Sequence, residues 1–346
     1  MQLGSLDFIS LFFASLLLTS AVTPIVRSIA LRFGITDRPN QSHKTHSEPV
    51  PYLGGLAIVL SSITVTYGSA FFTSFTKQTF LLASTILVPA VLLATMGLID
   101  DVRQLKPWPR FVAQNIVATF SASILVVTNT LGSPSGLLVI DFAVTVFWLV
   151  GVTNSINFFD NIDGGASGTI AISSLTLTFI ALSSGQVLIA AMAIVLAGST
   201  IGFLLWNKPP ARIYMGDAGA LFLGLLIATL TIRLDSRQEL GRFGLFIPIF
   251  LLAVPILDTS VAVIKRIARG ISPFQGGRDH LSHRLMRLGL SKRTAVMTLW
   301  FASAVFSFLA LMLSRNLYNW AESIVFFGVI LWTLLFTFFL STRDNS

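Results

Sequence analysis

"TFLLASTILVPAVLLATMGLIDDVRQLKPW", residues 79–108, joins an uncharged apolar run to a pair of adjacent carboxylates. The run is as long as the roughly 20 apolar residues that an α-helix needs to cross a bilayer. Asp100 and Asp101, which end it, repel each other unless a cation or a substrate lies between them. The stretch therefore predicts a membrane-spanning helix that ends in two acidic residues, which membrane insertion does not require.

The same pattern recurs along all 346 residues, of which 54% are hydrophobic and 11% charged, with a mean hydropathy of +0.81. These values lie far outside the range of soluble domains, and strand alternation is absent. We predict an all-α, polytopic membrane helix bundle of about eleven transmembrane helices, forming one domain over residues 1–346. The stretches at 137–152 and 169–182 are short, so ten helices is the alternative. The apolar stretches are Phe8–Val26, Leu53–Phe72, Thr79–Leu98, Phe111–Leu131, Leu137–Val152, Thr169–Leu182, Val187–Trp206, Ala218–Leu234, Leu245–Ile264, Ala295–Leu313 and Ala321–Leu340.

Basic residues are distributed unequally between alternate loops. Eighteen of the 23 Lys and Arg residues fall on the side that follows the first apolar stretch, and five on the other. The positive-inside rule makes the first side cytoplasmic, with the amino terminus outside and the carboxyl terminus cytoplasmic. The net charge of +8 therefore sets topology, and nucleic acid is not an expected partner. The chain has no cysteine, which excludes disulfides and thiolate metal sites.

Five polar segments lie on the predicted cytoplasmic side. They are "DRPNQSHKTHSEPVPYLGG" (37–55), the segment that begins at Asp100, "NSINFFDNIDGGASG" (154–168), "NKPPARIYMGDAGALFLG" (207–224) and "GGRDHLSHRL" (276–285). All four histidines lie in the first and last of these. Membrane insertion alone does not require such residues, so these segments are the candidates for a functional site.

Acidic and amide side chains dominate the middle three segments. Asn154, Asn157, Asp160 and Asp163 recur at intervals of three, and Asp217 stands between two glycines just before an apolar stretch. Hard oxygen donors of this kind suit Mg²⁺, with Mn²⁺ as an alternative. Helix caps and surface ion pairs are the simpler explanation of each motif taken alone.

Basic side chains dominate the last segment, where two arginines and two histidines fall within seven residues. Imidazole and guanidinium groups suit phosphate recognition, although topology alone also explains a basic loop. Further basic candidates are His43, Lys44, His46 and Arg110. Together with the acidic segments they indicate a phosphorylated, metal-bound cytosolic substrate, and the many helices indicate a second substrate in the lipid bilayer.

The ordered motifs, from "DRPN" through "PVPYLGG" to "HLSHRLMRLGLS", resemble the polyprenyl-phosphate N-acetylhexosamine-1-phosphate transferases. That family includes undecaprenyl-phosphate N-acetylglucosamine-1-phosphate transferases and, more distantly, phospho-N-acetylmuramoyl-pentapeptide transferase. The resemblance covers nearly the whole chain and extends to the helix number and sidedness.

The resemblance implies an enzyme of the bacterial inner membrane with its active site on the cytoplasmic face. Undecaprenyl phosphate attacks the β-phosphorus of a UDP-sugar, and UMP is released in a Mg²⁺-dependent, initiating step of a cell-envelope polysaccharide pathway. N-acetylglucosamine is the favoured sugar. UDP-N-acetylmuramoyl-pentapeptide or another UDP-N-acetylhexosamine is the alternative donor, and a homodimer is an alternative to a monomer.

Carried over position by position, the resemblance implies that Asn157 and Asp217 hold the metal. Asp100 or Asp101 is the implied catalytic carboxylate, acting on the lipid phosphate as a base or attacking directly. The implied substrate-binding residues are Lys44, His46, Arg110, Asn154, Asp160, Asp163, His280, His283 and Arg284. Among these, Asp163 is expected near the uracil.

The sequence departs from the family pattern at three positions. Many relatives have a third histidine where Ser282 stands, and a glycine and a leucine where Asn161 and Gly165 stand. Relatives of the muramoyl-pentapeptide enzyme carry consecutive histidines in the last segment, so this chain is closer to the other branch.

A secondary transporter is the rival from another functional class, because acids inside transmembrane helices often mark an ion path. Here only Asp141 and Asp258 lie well inside the predicted helices, each near one end. Transporter sites lie near the midplane of the membrane, so the enzyme is the favoured interpretation.

Overall fold

The computed structural model describes residues 3–37, 50–73, 76–132, 134–235, 243–273, 277–315 and 320–342. Helices dominate these residues, and the only sheet among them is a pair of two-residue antiparallel strands, β1 (Thr36–Asp37) and β2 (Val50–Pro51). The helices are α1 (Ser5–Arg32), α2 (Gly54–Gly68), α3 (Lys77–Arg103), α4 (Pro107–Val127), α5 (Leu138–Phe159), α6 (Gly165–Ser183), α7 (Val187–Asn207), α8 (Gly216–Ile232), α9 (Phe246–Leu251), α10 (Ala253–Ala268), α11 (Leu281–Arg287), α12 (Lys292–Ser314) and α13 (Ala321–Ser341).

The all-α prediction is confirmed, and each of the eleven predicted stretches overlaps a helix. Within the described residues nine helices are long and apolar enough to cross a membrane, or ten if α9 and α10 form one span. The prediction of which helices are short was wrong. The stretches at 137–152 and 169–182 belong to α5 and α6, of 22 and 19 residues, whereas α8 has only 17.

Helix α5 is longer than predicted because polar residues continue it beyond its apolar stretch. Asn154 donates from Nδ2 to the carbonyl of Val150 at 2.8 Å and to Oε1 of Gln114 in α4, also at 2.8 Å. A polar side chain satisfied in this way does not end a helix. The helix therefore carries Asn157 into the polar end of the bundle.

Helix α8 lies at the centre of the bundle. Every residue from Ala218 to Thr231 is buried, and α2, α3, α5, α6 and α7 all pack against it. A helix that is apolar on all sides is expected to be buried in this way. At 17 residues it is about 26 Å long, slightly less than the hydrocarbon thickness of a bilayer.

The stretch predicted as one helix at 245–264 is two, α9 and α10, bent by 76° at Leu252. Proline explains the break, since Pro255 has no N–H to donate to the carbonyl of Leu251. That carbonyl accepts instead from Oγ of Ser173 in α6 at 2.6 Å. Irregular backbone inside a membrane bundle needs such a partner. The bend directs α10 and its polar residues toward the end of the bundle where α11 lies.

Two backbone contacts assemble this polar end. Gly54 and Gly55 donate their N–H groups to the carbonyls of Tyr214 and Met215, at 2.9 and 2.8 Å. In α3, a Cβ at Gly97 would lie 2.5 Å from the carbonyl carbon of Asp217. Only glycine allows this approach, which places the end of α3 beside the first turn of α8.

Replacement of Gly97 tests this crossing. We expect Gly97→Ala to lower the free energy of unfolding by about 1–3 kcal/mol, because the new methyl group meets rigid backbone. Gly151→Ala is the matched control, since a Cβ at that helical position meets nothing within 4 Å. The measurement is thermal unfolding of the detergent-solubilised protein. Equal melting temperatures for the two variants would contradict the close approach.

Candidate active site

A cavity of about 530 Å³ opens where α3, α5, α8 and α11 meet. Nine of the predicted site residues line it: Asp100, Asp101, Arg110, Asn157, Asp160, Asp163, Asp217, His280 and His283. These residues come from four of the five polar segments, so the structure brings distant parts of the chain to one place. Lys44 and His46 lie outside the described residues.

The adjacent carboxylates of the α3 terminus have different partners. Asp101 accepts hydrogen bonds from the backbone N–H groups of Asp217 at 2.8 Å and Ala218 at 3.1 Å. It therefore caps the amino end of α8 from another helix, where the helix dipole favours a negative charge. Gly216 precedes these groups with φ +74°, and a Cβ there would lie 2.6 Å from Oδ2 of Asp101. The glycine is required at this position.

Arg110 joins the other carboxylate to Asp217. Its Nη1 lies 2.7 Å from Oδ2 of Asp100, and its Nη2 lies 2.6 Å from Oδ2 of Asp217. Asp100 also accepts from the backbone N–H of Leu105 at 2.6 Å, and Asp217 accepts from Nδ2 of Asn157 at 2.8 Å. One guanidinium thus serves two carboxylates, which leaves an excess of negative charge in this group.

The donors at Asp217 and Asn157 fit a divalent cation. No group of three or more His, Asp or Glu side chains among the described residues has metal-binding geometry. Mg²⁺, however, usually takes one or two carboxylates and completes its shell with water and substrate phosphates. Rotation of the Asn157 amide exchanges its nitrogen for oxygen, so that both side chains present oxygen. These two residues would hold the ion.

Asp160 and Asp163 line the same cavity. Burial is the main cause that raises the pKa of Asp160 well above its ordinary value, and the nearby charges of Asp217 and Asp101 add to it. Asp163 accepts from the backbone N–H of Ala211 at 2.9 Å and pairs with Nζ of Lys292 at 2.8 Å. Lys292 was not predicted, because a lysine at the start of an apolar helix is ordinary at a membrane surface.

Two tyrosines in the cavity wall were also missed. The rings of Tyr52 and Tyr214 lie 6.1 Å apart, at an interplanar angle of 49°. Burial, followed by the charge of Asp37 for Tyr52 and of Asp163 for Tyr214, raises the pKa of both hydroxyls. Both therefore stay protonated and can donate. Their positions within "PYLGG" and "IYMGD" are the only signal that the sequence offered.

The two histidines of the last segment differ in their surroundings. His280 is 7% exposed, and its two ring nitrogens contact Asp258 and Arg266. Burial is the main cause that lowers the pKa of His283 to about 4, and the charge of Arg278 adds to it. His283 is therefore neutral at pH 7, and it offers a phosphate a hydrogen bond rather than a charge.

Arg284 does not reach the cavity, contrary to the predicted substrate contact. Its side chain is fully buried. It donates to the carbonyls of Asp279 at 2.7 Å, Phe339 at 3.1 Å and Thr342 at 3.2 Å. A cation is favourable at the carboxyl end of a helix. Arg284 therefore fastens α11 to the end of α13.

Asn154 lies outside the main cavity, bonded to Gln114. Both belong to a smaller hollow of about 60 Å³ between α4 and α5, which also contains Arg110, Phe111 and Asn157. Because Arg110 and Asn157 line the cavity as well, the hollow adjoins it. Asn154 supports this wall of the site.

Comparison with known proteins shows the family to which this chain belongs. Residues 82–235 match the model of glycosyl transferase family 4. A Bacillus subtilis (strain 168) protein named "Probable undecaprenyl-phosphate N-acetylglucosaminyl 1-phosphate transferase" is 36% identical over 331 residues, covering 92% of this chain and 88% of that protein. The chain belongs to the polyprenyl-phosphate N-acetylhexosamine-1-phosphate transferase family. The resemblance stated from the motifs is confirmed, and the family match spans α3 to α8 with their carboxylates.

Two further relatives of this chain have similar names. The decaprenyl-phosphate N-acetylglucosaminephosphotransferase of Mycolicibacterium smegmatis is 30% identical over 320 residues, covering 84% of this chain and 78% of that protein. The undecaprenyl-phosphate alpha-N-acetylglucosaminyl 1-phosphate transferase of Escherichia coli (strain K12) is 26% identical over 322 residues, covering 87% and 81%. The similarity to each extends over most of both chains.

Proposed function

We propose that this chain transfers N-acetylglucosamine 1-phosphate from UDP-N-acetylglucosamine to undecaprenyl phosphate and releases UMP. We place the reaction on the cytoplasmic face of the bacterial inner membrane, as the first step of a cell-envelope polysaccharide pathway. The observation that carries the proposal is the bridge of Arg110 between Asp100 and Asp217, with Asn157 beside it, in a polar cavity at the end of a membrane bundle. The names of the relatives support the lipid and the sugar.

An apolar groove on α4 supports access for the lipid. It has a volume of about 490 Å³ and is lined by Trp108, Phe111, Val112, Asn115, Ile116, Thr119 and Phe120. Phe111 also lines the hollow that contains Arg110. A polyprenyl chain in this groove would place its phosphate next to a guanidinium, the partner that phosphate prefers.

The proposed step forms a bond from an oxygen of the lipid phosphate to the β-phosphorus of the donor. It breaks the bond from that phosphorus to the bridging oxygen, which leaves with UMP. Asp100 accepts the proton of the lipid phosphate or attacks first, while Arg110 aligns and neutralises phosphate oxygens. Such transfers depend mainly on positioning and electrostatic stabilisation. Mg²⁺ held by Asn157 and Asp217 would supply further neutralisation of the diphosphate. Asp101 positions Asp217 through the start of α8.

Turnover of UDP-sugars tests the function. Purified protein given undecaprenyl phosphate, Mg²⁺ and a panel of UDP-N-acetylhexosamines should release UMP, fastest with UDP-N-acetylglucosamine, and EDTA should abolish release. Asp217→Ala and Asp100→Asn should each lower kcat at least 100-fold, the order expected when preorganised charge is lost. Asp141→Asn, the same change outside the cavity, is the control. Absence of UMP with every donor would refute the proposal.

Variants in the groove test the path of the lipid. We expect Ile116→Gln, which makes an exposed groove residue polar, to raise the KM for undecaprenyl phosphate severalfold and to leave the KM for the UDP-sugar unchanged. The matched control is Ile140→Gln, because Ile140 is also exposed but lies outside the groove. A similar effect of both substitutions on the lipid KM would place the lipid elsewhere.

Sidedness is tested by labelling, for which the cysteine-free chain is a clean background. The proposed topology puts Gln104 in the cytoplasm and Ser135 outside, and both are exposed. A membrane-impermeant maleimide should label Ser135→Cys in intact cells, and Gln104→Cys only after permeabilisation. Labelling of both variants in intact cells would contradict the proposed topology.

A further inference from the structure

Asp258 is a buried carboxylate to which the proposed reaction gives no role. It lies in α10 with a fully buried side chain. Its Oδ2 lies 2.7 Å from Nδ1 of His280, and its Oδ1 accepts from the backbone N–H of Leu281 at 2.7 Å. Nδ2 of Asn161 approaches Oδ2 at 3.5 Å. A buried carboxylate is costly unless it is well paired, so these contacts indicate a specific purpose.

The partners of His280 determine which ring nitrogen carries the proton. Nε2 lies 3.1 Å from Nη2 of Arg266, and a guanidinium group can only donate. Nε2 must therefore accept, which leaves the proton on Nδ1, where it is donated to Asp258. A doubly protonated ring would set two donors against each other at Arg266. The arrangement thus selects the neutral Nδ1–H tautomer.

Arg266 is itself fixed and cannot easily release His280. Its Nε pairs with Oδ2 of Asp279 at 2.7 Å, and its Nη1 donates to the carbonyl of Pro273 at 2.8 Å. Its guanidinium carbon lies 5.5 Å from the ring centre of Phe158 in α5. The ring centres of Phe158 and His280 lie 6.3 Å apart, at an interplanar angle of 81°. Contacts on several sides therefore hold the pair formed by Arg266 and His280.

The ring of His283 is not held by contacts of this kind. It lines the cavity, its ring centre lies 6.5 Å from that of His280, and within the described residues its ring makes no hydrogen bond to protein. It lies in α11, three residues after His280, which directly precedes the first residue of that helix. The orientation of α11, set at its first residue by Asp258, therefore decides where the His283 ring points.

We propose that Asp258 is a positioning residue of the transferase. It holds His280 in the Nδ1–H form and anchors the start of α11, so that His283 rather than His280 is the imidazole that contacts the substrate phosphates. This inference rests on the proposed function for its catalytic readout. It assigns different roles to the two histidines, positioning for His280 and phosphate contact for His283, although both belong to one sequence motif.

Asp258→Asn disrupts the arrangement in a defined way. A carboxamide has one oxygen and one NH₂ group, so it can accept from His280 or from the N–H of Leu281 but not from both through separate oxygens. If the NH₂ group faces His280, the ring must move its proton to Nε2, opposite the donors of Arg266. Either orientation leaves a buried donor unpaired while the volume of the side chain is unchanged.

His280→Gln is the complementary variant. Its amide has a donor for Asp258 and an acceptor for Arg266, which are the two functions of the Nδ1–H imidazole. If His280 only positions α11, His280→Gln should keep kcat/KM for the UDP-sugar within about tenfold of the wild-type value. A residue that contacts the phosphates directly would lose more, so His283→Leu should lower kcat/KM by about 100-fold or more, the scale expected for misplaced catalytic contacts.

The experiment compares full-length wild type with Asp258→Asn, His280→Gln, His283→Leu and the control Asp141→Asn by UMP release, thermal unfolding and ¹⁵N-histidine NMR. We expect Asp258→Asn to lower kcat/KM by about 10- to 100-fold, and we expect the wild-type spectrum to show the Nδ1–H signature of His280. Wild-type turnover in Asp258→Asn, or a larger loss in His280→Gln than in His283→Leu, would overturn the inference. An Nε2–H or charged His280 in wild type would also overturn it. If wild type releases no UMP, the proposed function fails, while the NMR still tests the tautomer.

Discussion

The hydrogen bonds that Asp101 accepts from the first turn of α8 are the constraint on which the site depends. The carboxylate of one helix satisfies two backbone N–H groups of another, and buried helix ends need such partners. The glycines at 97 and 216 allow the two backbones to come close enough for these bonds. Once the end of α3 is fixed to the start of α8, Asp100 and Asp217 are within reach of the same arginine.

The cavity that results contains more negative than positive charge. Its described ionisable lining has six aspartates, one arginine, one lysine and two histidines. Burial raises the pKa of Asp160, which relieves some of the repulsion by favouring a bound proton there. The remaining excess suits a divalent cation, and the two basic residues suit phosphate oxygens that arrive with it. The repulsion expected between Asp100 and Asp101 is thus offset by partners from α4, from α8 and from the backbone at Leu105.

The sequence predicted the fold class and nine of the residues that line the cavity, because apolar length and donor chemistry are both local properties. Predictions from the sequence were wrong where the direction in which a side chain points decides its contacts. Residues spaced by three rotate by about 60° per step around a helix, so Asn154 faces α4 while Asn157 faces the cavity. His283 and Arg284 are neighbours, yet one lines the cavity and the other holds α13. Lys292 and Tyr214 carried no chemical signature of their own, and the break at Leu252 was signalled only by two prolines.

The groove on α4 and the hollow beside Arg110 bear on how the two reactants meet. In the proposed reaction the acceptor reaches the cavity sideways, from within one leaflet, while the nucleotide enters from water. Encounter with the acceptor is then a two-dimensional search, governed by the number of carrier lipids per unit of membrane area rather than by their bulk concentration. The diphosphate product leaves by the same lateral route, so its isoprenoid tail is never transferred into water.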